Sequence, residues 1–392
     1  MRRRAAIGLV ACVVLWRVVL LAADHPSDSV SFSAAEVQAI LLHGPWPPPH
    51  TADPSNRVSG HPTAIALGWR LFFDTRLSFG QDRACATCHI PQQAFTDGRS
   101  RSIGIAPVDR NAIALLNVRL HRWFGWDGKS DNLWAQSIHP ILDARELGAS
   151  AELVAWRVAA DPSLASTYLQ VFGTTAAADA PETVLVNLAK AMAAYQETIT
   201  TGRTPFDDFR DALATGDHVA RARYPLAAQQ GLKIFVGKGQ CSVCHFGPNF
   251  SHGEFHDIGL PFFIAPGRVD KGRYGGIALL QASRYTLLGP YNDDPWRSTA
   301  SPTRYVQALH RNWGEFRVPA LRQVAHTAPY MHNGSLATLE DVVRHYSEIN
   351  TERLHADGER LLRPLRLTSA EVASVVSFLQ TLSGPLRAYE GK

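Results

Sequence analysis

The sequence has no cysteines to spare for disulfide bonds. Four of its five cysteines stand in two Cys-x-x-Cys pairs, and the fifth, Cys12, lies in an apolar segment near the N-terminus. Small exported domains often depend on disulfides because their cores are small. This chain has 392 residues, 45% of them hydrophobic, which is enough for the cores of two or three domains. We therefore expect packing to stabilise the fold, and the paired cysteines to serve other chemistry.

The sequence also lacks an excess of charge beyond its first residues. The formal net charge of +4 arises from Arg2, Arg3, Arg4 and Arg17, since the other 35 basic residues balance the 35 acidic ones. Nucleic-acid-binding domains concentrate positive charge on one face. The basic pI is therefore no argument for such binding by the mature chain, and we expect no nucleic acid partner.

The basic start leads into an apolar run that reaches about Ala23. A secretory signal has this arrangement, and residues 1–23 fit one that is cleaved after small residues. Two alternatives stay open: an uncleaved membrane anchor, because the run is nearly long enough to span a bilayer, and a lipoprotein signal with Leu9-Val10-Ala11-Cys12 as its cleavage box. All three predict export, and hence a periplasmic protein whose only membrane contact is a possible N-terminal anchor.

The cysteine pairs are each followed directly by histidine. The two motifs are Cys85-Ala86-Thr87-Cys88-His89 and Cys241-Ser242-Val243-Cys244-His245. A zinc ribbon would need its pairs roughly 15–20 residues apart, whereas these lie more than 150 residues apart, and a thiol redox pair needs no histidine. Two such motifs favour two covalently bound c-type haems, in which the cysteines bind the porphyrin and His89 and His245 bind the irons.

Stretches that alternate with period two are scarce, so we expect an all-α protein made of two cytochrome-c-like domains. Helical spacing is clearest in Pro181–Thr201, in Ala227–Phe235 and after a capping box at Thr368–Glu371. Segments Gly68–Phe72 and Gly231–Phe235 form a faint repeat, one before each haem motif.

The predicted organisation follows from these patterns. A proline-rich arm on the surface (24–60) precedes an N-terminal cytochrome c domain (61–220) and a C-terminal one (221–392), with the boundary near 215–225. The second domain contains a long irregular excursion from Phe263 to Phe316, rich in Gly, Pro, Asn and Asp.

Methionine is almost absent, which limits the sixth ligands available to the haem irons. Only Met1, Met192 and Met331 occur. The spacing around Met192 predicts a buried helix face, so Met331 is the one serious methionine candidate. A filled sixth position suits electron transfer, and an open one suits activation of a small molecule.

From about residue 60 to 385 the chain resembles the bacterial diheme cytochrome c peroxidases of the MauG type. Beyond the two haem motifs, the resemblance rests on Arg110-Asn111, Trp126-Asp127-Gly128, Pro140 to Glu146, and Leu321-Arg322 with Ala328 through Ser335.

The resemblance implies that the His89 haem reacts with hydrogen peroxide and that the His245 haem holds and relays electrons. It places Trp126 between the haems, and Gln136 and Glu146 at the peroxide site, with Glu146 as general acid–base. It also implies a calcium ion between the haems, whose ligands are the Asn111 side chain and the backbone carbonyls of Thr327 and Pro329.

Two departures from the classical peroxidases point to the MauG-like branch. No histidine occurs in the loop Ile90–Val108, where classical members carry a ligand that caps the first haem. At the position of the second haem's sixth ligand the chain has Tyr346 in place of methionine. Neighbouring His345 is a rival, although it lies about 100° away around the predicted helix.

The function expected from the resemblance is a periplasmic oxidoreductase that stores the oxidising equivalents of peroxide in a two-haem high-valent state and oxidises a partner protein. MauG's surface tryptophan corresponds to Gly239, so its specific substrate is not carried over; Trp296 and Trp313 are alternative surface candidates. Two other functions stay open: a peroxidase fed with electrons by a small redox protein, and a diheme electron-transfer cytochrome that is not an enzyme.

Overall fold

The structure, a computed structural model, describes residues 30–260, 263–352, 357–358 and 360–391. The predictions for residues 1–23, including the Cys12 cleavage box, lie outside the described residues. Among the helices of the described part, none is both long and apolar enough to cross a bilayer.

Helices dominate the described chain, and the prediction of an all-α protein is confirmed. The helices are α1 (Ala34–Leu41), α2 (Pro62–Phe73), α3 (Cys85–Cys88), α4 (Leu133–Leu142), α5 (Ala151–Ala160), α6 (Pro162–Phe172), α7 (Pro181–Gln196), α8 (Pro205–Thr215), α9 (His218–Ala222), α10 (Leu226–Val236), α11 (Gly272–Ala282), α12 (Ser301–Tyr305), α13 (Leu339–Ser347) and α14 (Ser369–Gln380). The strands are β1 (Thr200–Thr201), β2 (Phe255–His256), β3 (Phe263–Ala265), β4 (Arg268–Val269), β5 (Phe316–Arg317) and β6 (Leu386–Arg387). They form three antiparallel pairs, β1–β6, β2–β5 and β3–β4.

The first hydrophobic core is built around α7. This helix is buried on every side from Val184 to Gln196, and it packs against α2, α4 and α5. It ends at Gln196, five residues before the end predicted from the sequence. Met192 is completely buried there, so the prediction that it belongs to the core is confirmed.

The second core is built around the pair α10 and α14. The capping box predicted at the start of α14 is confirmed, with the Thr368 hydroxyl accepting from the Glu371 amide and the Glu371 carboxylate accepting in return. Helices α1, α8 and α13 complete this core. Phe206 and Phe209 of α8 belong to it although they precede residues 215–225; the exact domain boundary stays a prediction.

The faint sequence repeat marks the same helix crossing in both cores. A Cβ atom at Gly68 of α2 would lie 1.9 Å from the Ala191 carbonyl oxygen of α7, and one at Gly231 of α10 would lie 1.9 Å from the Ser374 carbonyl oxygen of α14. Only glycine lets two helices approach so closely. In each half of the chain, the helix before the haem motif therefore packs closely against a later helix, α2 against α7 and α10 against α14.

The excursion from Phe263 to Phe316 does not stay on the second domain. The Asn132 side chain donates to the Tyr285 carbonyl (3.0 Å), and Lys190 of α7 donates to the Tyr291 carbonyl (2.7 Å). These bonds join the excursion to the first core. The excursion consequently packs on the first core, a position that the sequence did not reveal.

The composition of the proline-rich arm suggested that it lies on the surface, but some of its side chains are buried. Ile40 of α1 is completely buried in the second core, and Trp46 is 4% exposed. The Trp46 indole donates to the Thr201 carbonyl (3.0 Å), and the Arg322 guanidinium lies 3.6 Å from its ring centroid. The described part of the arm is mostly exposed or half-buried, and its few buried apolar side chains complete a core formed by distant residues.

Candidate active site

Each Cys-x-x-Cys-His motif lines its own cavity. Cys85, Cys88 and His89 line the first, which lies against α4 and the first core. Cys241, Cys244 and His245 line the second, which is mainly apolar and lies against α10, α13 and α14. The two motifs do not share one site, as the cysteine pairs of a zinc ribbon would.

Both motif histidines are oriented in the same way. The Nδ1 atom of His89 lies 3.1 Å from the Phe95 carbonyl oxygen, and that of His245 lies 3.0 Å from the Phe250 carbonyl oxygen. Burial lowers the pKa of His89 and takes that of His245 to about 4, so both rings are neutral. Nδ1–H then donates, and the Nε2 lone pair is free for a metal, as is typical of ligating histidines.

The accepting phenylalanines have an unusual backbone that serves this hydrogen bond. Phe95 and Phe250 have φ angles of +58° and +53°, a left-handed conformation that non-glycine residues rarely adopt. His43 from the arm stacks on Phe250 at 4.4 Å and holds it in place. With two cysteines and a pre-oriented imidazole in each cavity, the residues present fit two c-type haems.

Gln136 and Glu146 lie together in the first cavity with the Cys85–His89 motif. Gln136 projects from α4 on the same face as Pro140, and its Oε1 accepts from the Ser130 hydroxyl (3.2 Å). Glu146 follows α4 on a turn, and its backbone carbonyl accepts from the Ile105 amide (3.1 Å). The structure thus brings both predicted peroxide-site residues to the cavity where the resemblance put them, and their roles stay predictions.

The Glu146 carboxyl group is suited to proton exchange. Burial raises its pKa above the ordinary value of 4.5, and nearby Asp143 adds to the effect, while Lys129 and Arg145 oppose it. Gly104 packs so closely on the Glu146 backbone that a Cβ there would lie 2.6 Å from the Glu146 Cα. The loop that lacks a histidine therefore holds Glu146 in position.

Trp126 lies at the second cavity and is bonded to residues around it. It is 9% exposed, its indole donates to the Asn111 carbonyl (3.0 Å), and its own carbonyl accepts from the Arg317 amide (2.8 Å). Ile113, which packs on Trp126, lines both cavities. Trp126 is thereby connected to the wall between the two sites, and a relay role stays a prediction.

The three residues predicted to bind calcium also come together. Asn111, Thr327 and Pro329 all line the second cavity. The Asn111 amide nitrogen Nδ2 donates to the Arg99 carbonyl (2.7 Å), which leaves its side-chain oxygen as the atom for a cation. Amide and carbonyl oxygens are typical calcium ligands, so the donor set is suitable; the ion itself stays a prediction.

Tyr346 lines the second cavity with His245, and so do Val342 and Val343 from the same helix. His345 does not; its Nε2 lies 2.8 Å from the Ile258 carbonyl oxygen. The α13 face that meets the cavity is thus the tyrosine face. Burial raises the Tyr346 pKa well above its ordinary value, so the phenol stays protonated unless a cation stabilises the phenolate.

Met331 lines the same cavity and remains a rival ligand. It precedes His332, whose ring stacks on Phe316 with centroids 3.5 Å apart. Phe316 in turn packs on Trp126. Met331 therefore lies on the loop beside Trp126, whereas Tyr346 lies on helix α13.

Two residues of the site were missed by sequence reasoning. His121 and Arg317 line both cavities. The His121 nitrogens lie 3.4 Å from Arg317 Nη1 and 3.4 Å from Asn249 Nδ2. No sequence motif identifies either residue, because they lie far apart in the sequence and come together only in the folded chain.

A further group lies at the rim of the second cavity. Cys244, His252 and His256 have ligand atoms within 4.8 Å of one another, and the two Nε2 atoms are 3.0 Å apart. Because Cys244 is the expected porphyrin attachment point, this group belongs to the edge of the second haem site.

A helical chain with two cavities, each holding its own Cys-x-x-Cys-His motif, defines a two-haem c-type cytochrome. A family model described as "Di-haem cytochrome c peroxidase" matches residues 62–214. The methylamine utilization protein MauG of Methylorubrum extorquens is 32% identical over 82% of this chain and 78% of its own. Cytochrome-c peroxidase IdrP2 of Pseudomonas sp. (strain SCT) is 32% identical over 91% of this chain and 89% of its own.

A solved structure agrees with these sequence relatives. The crystal structure of a MauG-like protein associated with microbial copper homeostasis is 28% identical, with a TM-score of 0.63, over 87% of this chain and 96% of that one. The chain belongs to the diheme cytochrome c peroxidase/MauG family. It is accordingly a peroxide-dependent oxidoreductase with two c-type haems, and the zinc and thiol redox readings of its cysteines are excluded.

Proposed function

We propose that this chain reacts with hydrogen peroxide in the first cavity and uses the oxidising equivalents to oxidise a partner protein. The observation that carries the proposal is Tyr346, which lines the second cavity together with a neutral, pre-oriented His245. A phenolate is an anionic ligand and favours the oxidised metal, whereas a methionine thioether favours the reduced one. A second site tuned in this way suits the storage of oxidising power better than the delivery of electrons to peroxide.

The first cavity supplies the groups that peroxide cleavage needs. Haem iron bound at His89 would supply the centre at which peroxide is reduced. Glu146 accepts a proton from one peroxide oxygen and returns it to the other, which then leaves as water. Gln136 positions the peroxide by hydrogen bonding.

Access of peroxide to the first cavity should need no prior activation. The loop Ile90–Val108 contains no histidine, and its Gly104 lines the first cavity. The remaining histidine there, His121, lies on the wall shared with the second cavity, beside Arg317. We infer that the side of the cavity with Glu146 and Gln136 stays open.

Electrons reach the first cavity from the second through Trp126. Its indole is buried and fixed by the Asn111 carbonyl, so an electron can leave and return with little reorganisation of water around it. The surface tryptophan that MauG has at the position of Gly239 could not be accommodated here. A Cβ at Gly239 would lie 2.7 Å from the Ile234 carbonyl oxygen. Trp296, which is 87% exposed, is a candidate surface contact for the partner, and Trp313 is half-buried.

The calcium ion is part of the same proposal. Asn111 carries both the candidate ligand oxygen and the carbonyl that fixes Trp126. A cation bound by Asn111, Thr327 and Pro329 would therefore hold the relay in place. We also infer that the protein is exported to the periplasm, because c-type haem is attached outside the bacterial cytoplasm.

The test is a stopped-flow reaction of the ferric holoprotein with peroxide, without prior reduction. We expect spectral oxidation at both haems within one kinetic phase and slow turnover of added reduced cytochrome c. A requirement for prior one-electron reduction, or rapid steady oxidation of the cytochrome, would replace this proposal with the plain peroxidase. A holoprotein that does not react with peroxide in either state would support the electron-transfer cytochrome.

A further inference from the structure

Arg317 is a buried cation in the wall between the two cavities. It lies on β5, is 3% exposed, and lines both cavities. Its backbone amide donates to the Trp126 carbonyl (2.8 Å), and in the β2–β5 pair it lies opposite Phe255. Its position is therefore fixed by the backbone on two sides.

The Arg317 guanidinium is only partly satisfied by the protein. Nε donates to the Gly125 carbonyl (3.2 Å), and Nη1 lies 3.4 Å from His121 Nδ1. A guanidinium has five N–H donors. Within the described ranges of the chain, no ion pair joins Arg317 to a carboxylate.

Other buried arginines of the same region are compensated. Arg322 pairs with Asp207 at 2.8 Å, and Arg110 pairs with Asp127 and Asp270, each at 2.7 Å. Arg273 lies between two aromatic rings, 4.3 Å from the Trp123 centroid and 4.0 Å from that of Phe255. Among the residues that the structure describes, Arg317 has neither a carboxylate partner nor aromatic rings stacked on its guanidinium.

A buried charge without a partner is costly, so proteins pair such charges or remove them. The anions that the two cavities would receive are the propionate carboxylates of the haems. We propose that Arg317 is a propionate-binding residue shared by both haems. The propionates would provide the carboxylate partner that the described residues do not supply, and the planar guanidinium would bind them through its N–H donors.

This assignment has an electrostatic consequence for both haems. A positive charge near two irons stabilises the ferrous form of each, because reduction removes one positive charge from the iron. Arg317 therefore raises both reduction potentials, and it stands beside Trp126, where electrons pass between the sites. It acts as a positioning residue for the haems.

The experiment compares three variants of the holoprotein by spectroelectrochemical titration. Arg317→Gln should lower the potentials of both haems, and Arg317→Lys should lower them less because it keeps the charge. Arg273→Gln removes an equally buried cation that lines neither cavity, and should leave both potentials unchanged. Unaltered potentials in Arg317→Gln, a shift at one haem alone, or an equal shift in Arg273→Gln would overturn the proposal.

A second readout covers the case in which Arg317→Gln fails to fold or to retain haem. Resonance Raman spectra of the Arg317→Lys holoprotein should show a shifted propionate bending band, because the ammonium replaces the guanidinium contact. An unchanged band in that variant would overturn the proposal. Neither readout depends on turnover, so a failure here is distinct from a failure of the proposed protein oxidation.

Discussion

At the scale of single residues, the two cavities differ by the groups that face them. The first presents Gln136 and a carboxyl group whose pKa is raised by burial; the second presents the phenol of Tyr346. Both proximal histidines, by contrast, are held by the same carbonyl hydrogen bond. The two cavities thus share the same attachment motif and differ in the other groups that line them.

Replacement of Glu146 by Gln should slow the reaction with peroxide by roughly 10²–10⁴-fold, since the proton shuttle is lost. In the wild type, the rate should fall as the pH is lowered through the raised Glu146 pKa, because only the carboxylate accepts the first proton. Stopped-flow rates across pH 4–8 check both points. A Gln variant that keeps the wild-type pH profile would show that another group moves the proton.

Tyr346→Phe should change the low-spin spectrum of the ferric second haem, because the ligand oxygen is removed. Electron paramagnetic resonance and absorbance of the ferric holoprotein measure this directly. Met331→Leu is the matched control, since Met331 lines the same cavity. If the Met331 variant loses the low-spin signal and the Tyr346 variant keeps it, the ligand assignment is wrong.

Glu197 should make the folded protein less stable at alkaline pH. It is 5% exposed, accepts a hydrogen bond from Ser59 (2.6 Å), and burial raises its pKa from 4.5 to about 7. Between these values the unfolded chain is ionised while the folded chain still binds the proton, so stability falls as the pH rises, by about 3 kcal/mol at most.

Glu197→Gln should accordingly be more stable than the wild type at pH 8 and similar to it at pH 4. Urea unfolding at both pH values measures the difference. Glu348→Gln, at an exposed carboxylate, is the control and should leave the pH dependence unchanged. Equal stability of wild type and Glu197→Gln at pH 8 would contradict the buried, proton-bound carboxyl group.

At the scale of helices and segments, local patterns predicted what local chemistry determines. Helix α7 begins at Pro181 as its spacing predicted, α10 lies within one residue of its predicted bounds, and α14 follows its capping box at Thr368. The course of the excursion and the burial of α1 could not be predicted, because they depend on side chains such as Lys190 that lie far away in the sequence.

The candidate site shows the same division. The haem motifs could be recognised from the sequence because their residues are adjacent. The resemblance alone indicated the other candidates, Trp126, Gln136, Glu146 and Tyr346. Arg317 and His121 carry no local signal, because their importance arises from their place between two cavities.

Gly231→Ala should destabilise the second domain by about 1–3 kcal/mol, since the added methyl would overlap the Ser374 carbonyl of α14. Gly275→Ala in α11 is the matched control: its new Cβ would meet no backbone atom of another element and would lie 3.2 Å from the Lys271 Cβ. Thermal unfolding of both variants compares them. Equal melting temperatures would show that the α10–α14 crossing tolerates a side chain.

At the scale of the whole molecule, ion pairs join the segment of Trp126 to distant parts of the chain. The Arg110 guanidinium pairs with Asp127 beside Trp126 and with Asp270 at the start of the excursion. Burial alone would raise the pKa of Asp127, but Arg110 and Lys129 outweigh it, so this carboxylate stays ionised. The segment that carries Trp126 is thereby joined to the excursion by charge.

Trp126→Phe should uncouple the two sites. Peroxide would still react in the first cavity, but oxidation of the second haem would become much slower, because phenylalanine is far harder to oxidise than tryptophan. Rapid-mixing spectra at the wavelengths of each haem measure the two processes separately. Unaltered oxidation of the second haem in this variant would remove Trp126 from the electron path.

The central claim is that the first haem is open to peroxide while the second is closed by Tyr346. Electron paramagnetic resonance of the ferric holoprotein at low temperature tests it most directly. We expect one high-spin signal, from the His89 haem, and one low-spin signal, from the His245 haem. Two low-spin signals would mean that a protein ligand, such as His121, also closes the first haem, and would contradict the account.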